Sequence, residues 1–208
     1  MGRPKKVEAD QRRAPSQARS KATVEAILEA AARIIRREGE AALTTNRIAE
    51  VAGVSVGTLY GYFPDKEAIQ LALARRMLAE GDAAVLATME GERGLDAMRA
   101  LVRAVLDLHA TDRALRRSVM GLHLSRGGRR EHAASTRDTV AEIARKFAAQ
   151  DLAVDPLKLF IVTRAVLGVA RSLVEEADGT APDPAVLEAE LMALIGPYLA
   201  VSEVAAAH

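Results

Sequence analysis

The sequence predicts an all-α protein built from two helical domains. Three observations predict it. Ala, Leu, Arg and Glu dominate the 208 residues, apolar positions recur at steps of three and four, and alternating β-type runs are missing. Half of the residues (50%) are apolar, which at this length supports a buried core.

The elements follow in order. Val24, Ile27, Leu28, Ala31, Ile34 and Ile35 form one apolar stripe, which predicts a first helix over roughly 21–38, closed by Gly39. Thr44 or Thr45 can cap a short second helix carrying Ile48, Ala49 and Val51, ended by Gly53. Ser55 is placed to cap a third helix holding Leu59 and Phe63, which Pro64 cannot continue. Asp65 can cap a fourth helix starting at Lys66. Downstream, helical patterns are expected at about 95–110, 112–125 and 131–150, with a turn at Ser125-Arg126-Gly127-Gly128. Asp155-Pro156 reads as the start of a helix to about 177, and a last helix runs to about Ala200.

Charge and composition narrow the function. Residues 1–21 hold seven Lys or Arg against Glu8 and Asp10. They carry a surplus of five, so with a net charge of +1 the remainder carries −4. A basic segment on a mildly acidic body points to a polyanionic partner. The chain has no Cys, which excludes thiolate metal sites and cysteine nucleophiles. The four His (His109, His123, His132, His208) fall in no HxxxH or HExxH spacing, and no phosphate-binding G-x-x-x-x-G-K-[ST] occurs, so no metal or other cofactor is expected. The N-terminal MGRPKKVEADQRR lacks the apolar run of a signal peptide, and no run of about 18 apolar residues is free of charge. A cytoplasmic protein without a membrane span is the expectation.

The stretch Gly53-Val54-Ser55-Val56-Gly57 reads as G-x-S-x-G, the spacing of a hydrolase nucleophile elbow. That elbow needs a strand before the serine, whereas Arg47 to Ala52 has a helical pattern. Ser55 is therefore read as a helix cap, and no catalytic residue is assigned. Two short helices joined by a glycine turn make a helix-turn-helix.

The run from Leu43 to Lys66, with TT…IA…AGVS.GTLY.YF..K, resembles the DNA-binding domain of the TetR family of transcriptional regulators. The match covers about 21–68. The expected organisation is then a basic, flexible arm at 1–20 followed by two domains, a helix-turn-helix domain at 21–67 and a helical effector-binding and dimerisation domain at 68–208. The resemblance implies that Thr45, Thr58, Tyr62 and Lys66 contact phosphates of a double-stranded operator and that Tyr60 lies against the backbone or a base edge. Thr44 and Ser55 flank these positions. Phosphate contacts fix register without reading sequence. Val56 is suited to a thymine methyl, Asn46 to adenine and Arg47 to guanine. Gly57 and Gly61 are unusual in a helix and would allow close approach of the backbone to DNA. Gly61 departs from the family, which usually places a large side chain there. In the arm, Gly2-Arg3-Pro4-Lys5-Lys6 resembles the core of AT-hook segments, so Arg3, Lys5 and Lys6 are candidates for the minor groove.

The resemblance also implies a homodimer and a small-molecule effector. Leu157, Ile161, Ala165, Gly168, Leu187, Leu191, Leu194 and Tyr198, on the last two helices, are the expected interface. Phe160, Val169, Ser172, Leu173 and Ile195 belong to the same helices. Pocket candidates are polar or soft groups on apolar faces: His109, Met120, His123, Phe147, Phe160 and Arg164. With three Phe and no Trp, an aliphatic, acyl or small polar effector is expected over a bulky cation. The function this supports is a ligand-responsive regulator, most simply a repressor released by its effector. A helical carrier or enzyme without DNA binding is the alternative.

Overall fold

A computed structural model describes residues 10–152, 154–176 and 180–205. The chain forms helices α1 (Asp10–Glu38), α2 (Thr45–Ala52), α3 (Val56–Tyr60), α4 (Lys66–Ala87), α5 (Gly94–Ala110), α6 (Arg113–His123), α7 (Arg129–Ala148), α8 (Pro156–Glu175) and α9 (Pro184–Ala205). A short 3-10 turn, Glu40–Ala42, links α1 to α2. No strand occurs among the described residues. Two compact units divide between Leu73 and Ala74, inside α4.

In the N-terminal unit, the stripe of α1 buries Ile27, Ala31, Ile34 and Ile35 with Leu43, Ile48, Leu59 and Ile69. The observed α1 starts at Asp10, well before the stripe. The segment 10–20 has almost no apolar residues and so carries no apolar periodicity, while its Arg, Gln and Ala favour helix. The helix α3 is shorter than expected. It stops at Tyr60, and Phe63 reaches the core from the following turn. Asp65 caps α4, its Oδ1 accepting from the Ala68 N–H at 2.8 Å.

In the C-terminal unit, α5 packs against α8 and α9 around Met98, Leu101, Val102, Leu106, Leu159, Val162, Val166 and Leu173. Asp155 caps α8 with Pro156 in the first turn, as the sequence predicts. Glu188 on α9, only 4% exposed, accepts from Arg99 at 3.1 Å and also from Arg103, both on α5. Burial disfavours its charge, but these hydrogen bonds outweigh that and hold its pKa below the usual carboxylate range. The expected turn at 125–128 is a π-type kink, Leu124–Gly128, in which Gly127 takes φ 90°. Gly128 packs against His123, and the imidazole fills the space a Cβ at Gly128 would need. His123 is buried at this kink.

Candidate nucleic-acid interface and interior cavity

The helix-turn-helix is set by two hydroxyl caps and one glycine. Thr44 Oγ1 accepts from the Arg47 N–H at 3.1 Å, which starts α2. Gly53 takes φ 68°, a left-handed conformation that ends α2 and suits glycine. Ser55 Oγ accepts from the Thr58 N–H at 3.0 Å and lies 2.7 Å from the Thr58 hydroxyl. A cap of this kind contributes about 1 kcal/mol. The residues before Ser55 are helix and glycine turn, so the strand of a nucleophile elbow is replaced by α2.

Most polar candidates are exposed. Thr44, Asn46, Ser55, Val56, Gly57, Thr58, Tyr60, Tyr62 and Lys66 are all exposed, and Thr45 is half-buried. Tyr60 is 51% exposed, with its hydroxyl 3.1 Å from Thr45 Oγ1. That contact joins α2 to α3 across the outer face. Leu59, between Thr58 and Tyr60, points the other way and is fully buried. Gly57 opens outward: a Cβ there would meet only Ser55 Oγ, at 3.8 Å. Gly61 has no positive φ, and its Cβ would stand 3.2 Å from the Thr58 carbonyl.

Arg47 is differently placed from a free base reader. Its Nη2 and Nε donate to Glu38 at 2.9 and 3.2 Å, and its Nη1 pairs with Glu50 at 2.9 Å. The hydrogen bonds from Arg47 lower the pKa of Glu38. This clamp is not legible in the sequence, because Glu38 ends α1 and lies nine residues from Arg47. Arg33 adds a second tie, donating to the Val51 carbonyl at 2.8 Å. Arg3, Lys5 and Lys6 lie outside the described residues.

The C-terminal unit holds a partly open cavity of about 360 Å³. Its walls come from α4, α5, α6, α7 and α8 and are mainly Leu, Val and Met. Of the pocket candidates, His109 and Met120 line it. The other four do not. His123 and Phe147 are sealed in the core, and Phe160 is exposed with Arg164 stacked 5.2 Å from its ring. Composition could not separate these faces, since each helix has an apolar side toward the core and another toward solvent. The polar lining that the sequence reading missed includes Asp82, Arg116, His132, Thr136, Thr163 and Arg171. These residues are spaced across four helices, α4, α6, α7 and α8, and no motif joins them. Burial pushes His109 down to about 4, and it lowers His132 as well, so both rings are neutral near pH 7.

On α8 and α9, Leu157, Phe160, Ile161, Leu194 and Tyr198 are exposed, Leu194 at 72%, and Ala165 and Gly168 are exposed beside them. Leu191 is buried in the unit's own core and Leu187 packs partly against it. Those two expected interface positions therefore pack toward the unit's own core, beside the exposed Leu194. Lys158 donates to the Tyr198 carbonyl at 2.6 Å, linking the two helices.

Residues 27–81 match the family model described as bacterial regulatory proteins, tetR family. No curated protein matches the chain. Among solved structures, the chain is similar to a TetR-family transcriptional regulator, described as putative, from Mesorhizobium loti MAFF303099. The identity is 19% and the TM-score 0.67, over 88% of this chain and 98% of that one. It is also similar to a TetR/AcrR-family regulator from Thermobifida fusca YX-ER1, with 18% identity and TM-score 0.64 over 83% and 95%. A third is the transcriptional regulator FadR from Bacillus subtilis, solved in complex with stearoyl-CoA, with 18% identity and TM-score 0.62 over 82% and 96%. At these identities the likeness concerns the fold.

Proposed function

We propose, on the premise that this chain belongs to the TetR family of bacterial regulatory proteins, that it is a cytoplasmic, ligand-responsive repressor acting as a homodimer on a palindromic operator. The observation that carries this reading is the set of exposed residues on α2, α3 and the turn after it, Asn46, Val56, Thr58, Tyr60 and Tyr62, with the half-buried Thr45 tied to Tyr60 and an open backbone at Gly57. Hydroxyls and the Lys66 ammonium take phosphates, while Asn46 and Val56 meet base edges. Arg47 holds α2 against Glu38 and so positions Asn46 rather than reading a base itself. Arg3, Lys5 and Lys6 extend the contact into the minor groove.

A second copy of the chain supplies the symmetry a palindrome requires. The exposed apolar side chains Leu157, Phe160, Ile161, Leu194 and Tyr198 suit a four-helix contact across a two-fold axis, with Ala165 and Gly168 allowing close approach. Two recognition helices must meet successive major grooves, about 34 Å apart. An effector in the cavity that binds one spacing better than another would shift the dimer off its operator. The fatty-acyl ligand of the similar FadR structure supports reading the cavity as the effector site.

Fluorescence anisotropy with duplex DNA from upstream of the protein's own gene tests the proposal. Sequence-selective, salt-sensitive binding is expected. Lys66→Ala should weaken it and flatten the salt dependence by about one phosphate contact. A protein that ignores every duplex yet binds small molecules would instead be a helical carrier, a reading the cavity favours.

A further inference from the structure

The cavity of the C-terminal unit carries positive charge within aliphatic walls. Arg116 on α6 is only 8% exposed, and its Nε is buried without a hydrogen-bond partner. A guanidinium stays protonated, so burying it partly unanswered is costly. Asp112, one turn earlier, attracts Arg116 but leaves Nε unsatisfied. The neighbouring rings are fixed in their tautomers. Arg171 Nη2 lies 3.2 Å from His132 Nε2, so Nε2 accepts and the ring proton sits on Nδ1. That Nδ1 is also buried without a partner. His109 Nδ1 donates to the Val105 carbonyl at 2.8 Å. Arg116, Arg171 and His132 all act on His109 electrostatically, which places the four groups in one cluster on the cavity wall.

Two N–H donors, Arg116 Nε and His132 Nδ1, therefore lack acceptors beside a buried positive charge. The acidic residues nearby do not answer them. Asp82 accepts from the Ser135 hydroxyl, and Glu175 sits at the exposed end of α8. The rest of the wall is mainly aliphatic, with Val85, Met98, Leu101, Val102, Leu159 and Val166 beside Thr136, Thr139 and Thr163, and no Phe, Tyr or Trp lines it among the described residues. A ring would find no stacking surface, a cation would be repelled, and a neutral alcohol would leave the charge unanswered. At about 360 Å³ the space sits near the lower end for small-molecule sites.

We propose that the effector is an aliphatic carboxylate of medium chain length, its head group paired with the Arg116 guanidinium and the His132 ring on the cavity wall and its chain lying among the Leu and Val side chains. The assignment rests on reading this cavity as the effector site. It adds the charge of the ligand and the residues that select it.

Calorimetric titration of the full-length protein with decanoate, methyl decanoate, decan-1-ol and decyltrimethylammonium tests it, each kept below its micelle concentration. Decanoate should saturate, and the neutral and cationic compounds should bind about ten- to a hundred-fold more weakly. Arg116→Met keeps the bulk of the stem and should lose decanoate affinity by a similar factor. His132→Phe should lose less. Because the ligand series uses the unaltered protein, the answer survives if a variant misfolds. Methyl decanoate or decanol binding as tightly as decanoate would overturn the proposal, as would Arg116→Met with full affinity. So would the failure of every saturated carboxylate of eight to fourteen carbons. Operator anisotropy run in parallel separates the two readings. Operator binding without any carboxylate binding overturns this assignment alone. Decanoate binding without DNA binding overturns the regulatory function and leaves the carboxylate site in place.

Discussion

The helix-turn-helix and the cavity unit place their polar groups in opposite ways. Around α3 the polar groups point outward and are set by neighbours three residues apart, as in Thr44–Arg47 and Ser55–Thr58. Around the cavity they point inward and come together from distant helices, as in the contact of His132 with Arg171. A surface for a large polyanion needs accessible hydroxyls on a stiff local frame. A site for a small molecule needs a dry wall with a few unanswered groups. The first can be written in a contiguous stretch of sequence. The second exists only after packing.

The sharpest way to separate the two regions is Leu59→Ala. Leu59 is fully buried and anchors a five-residue helix that cannot stand alone. The loss should be about 2–5 kcal/mol in a urea melt. DNA binding should fall with it, while titration of the cavity ligand should be little changed if the units are energetically separate. A common loss of both would break the comparison.

Acid should act on the other region. Burial depresses His109 from 6.5 to about 4, so between those values the unfolded chain takes up a proton that the folded one refuses. The contribution of this ring to stability is present above pH 6.5 and is lost as pH falls toward 4. The effect should be on the order of 1–2 kcal/mol, after allowance for partial exposure. His109→Gln should flatten the dependence of the melting temperature on pH in that window. An unchanged slope would place the proton uptake elsewhere.

Smaller effects should return to the turn. Ser55→Ala removes the cap of α3 and should cost about 1 kcal/mol in thermal denaturation, with weaker operator binding. Gly57→Ala should do the reverse to stability. It adds helix propensity worth less than about 1 kcal/mol and meets nothing nearer than 3.8 Å, yet it should weaken DNA binding. Operator affinity equal to the unaltered protein would show that no phosphate or base approaches there.

These differences explain what could be read early. The caps at Ser55, Asp65 and Asp155 were legible because capping needs only a short side chain a few residues from the N–H it answers. The Leu43–Lys66 motif was legible for the same reason. The clamp of Arg47 by Glu38 was not, since it depends on how α1 meets α2. Two of six pocket candidates reached the cavity, and Arg116 was passed over because an Arg on a helix is ordinarily a surface residue. The boundary expected at 67/68 has no loop to mark it, because α4 continues past it and the units divide at Leu73.

The bare backbone at Gly57 has a practical corollary. A redesign guided only by how firmly the isolated chain holds together would fill that notch first and regard the result as an improvement. The position is better treated as a mould whose casting lies outside the molecule, and the variant with the higher melting point is the one expected to lose its grip on its target.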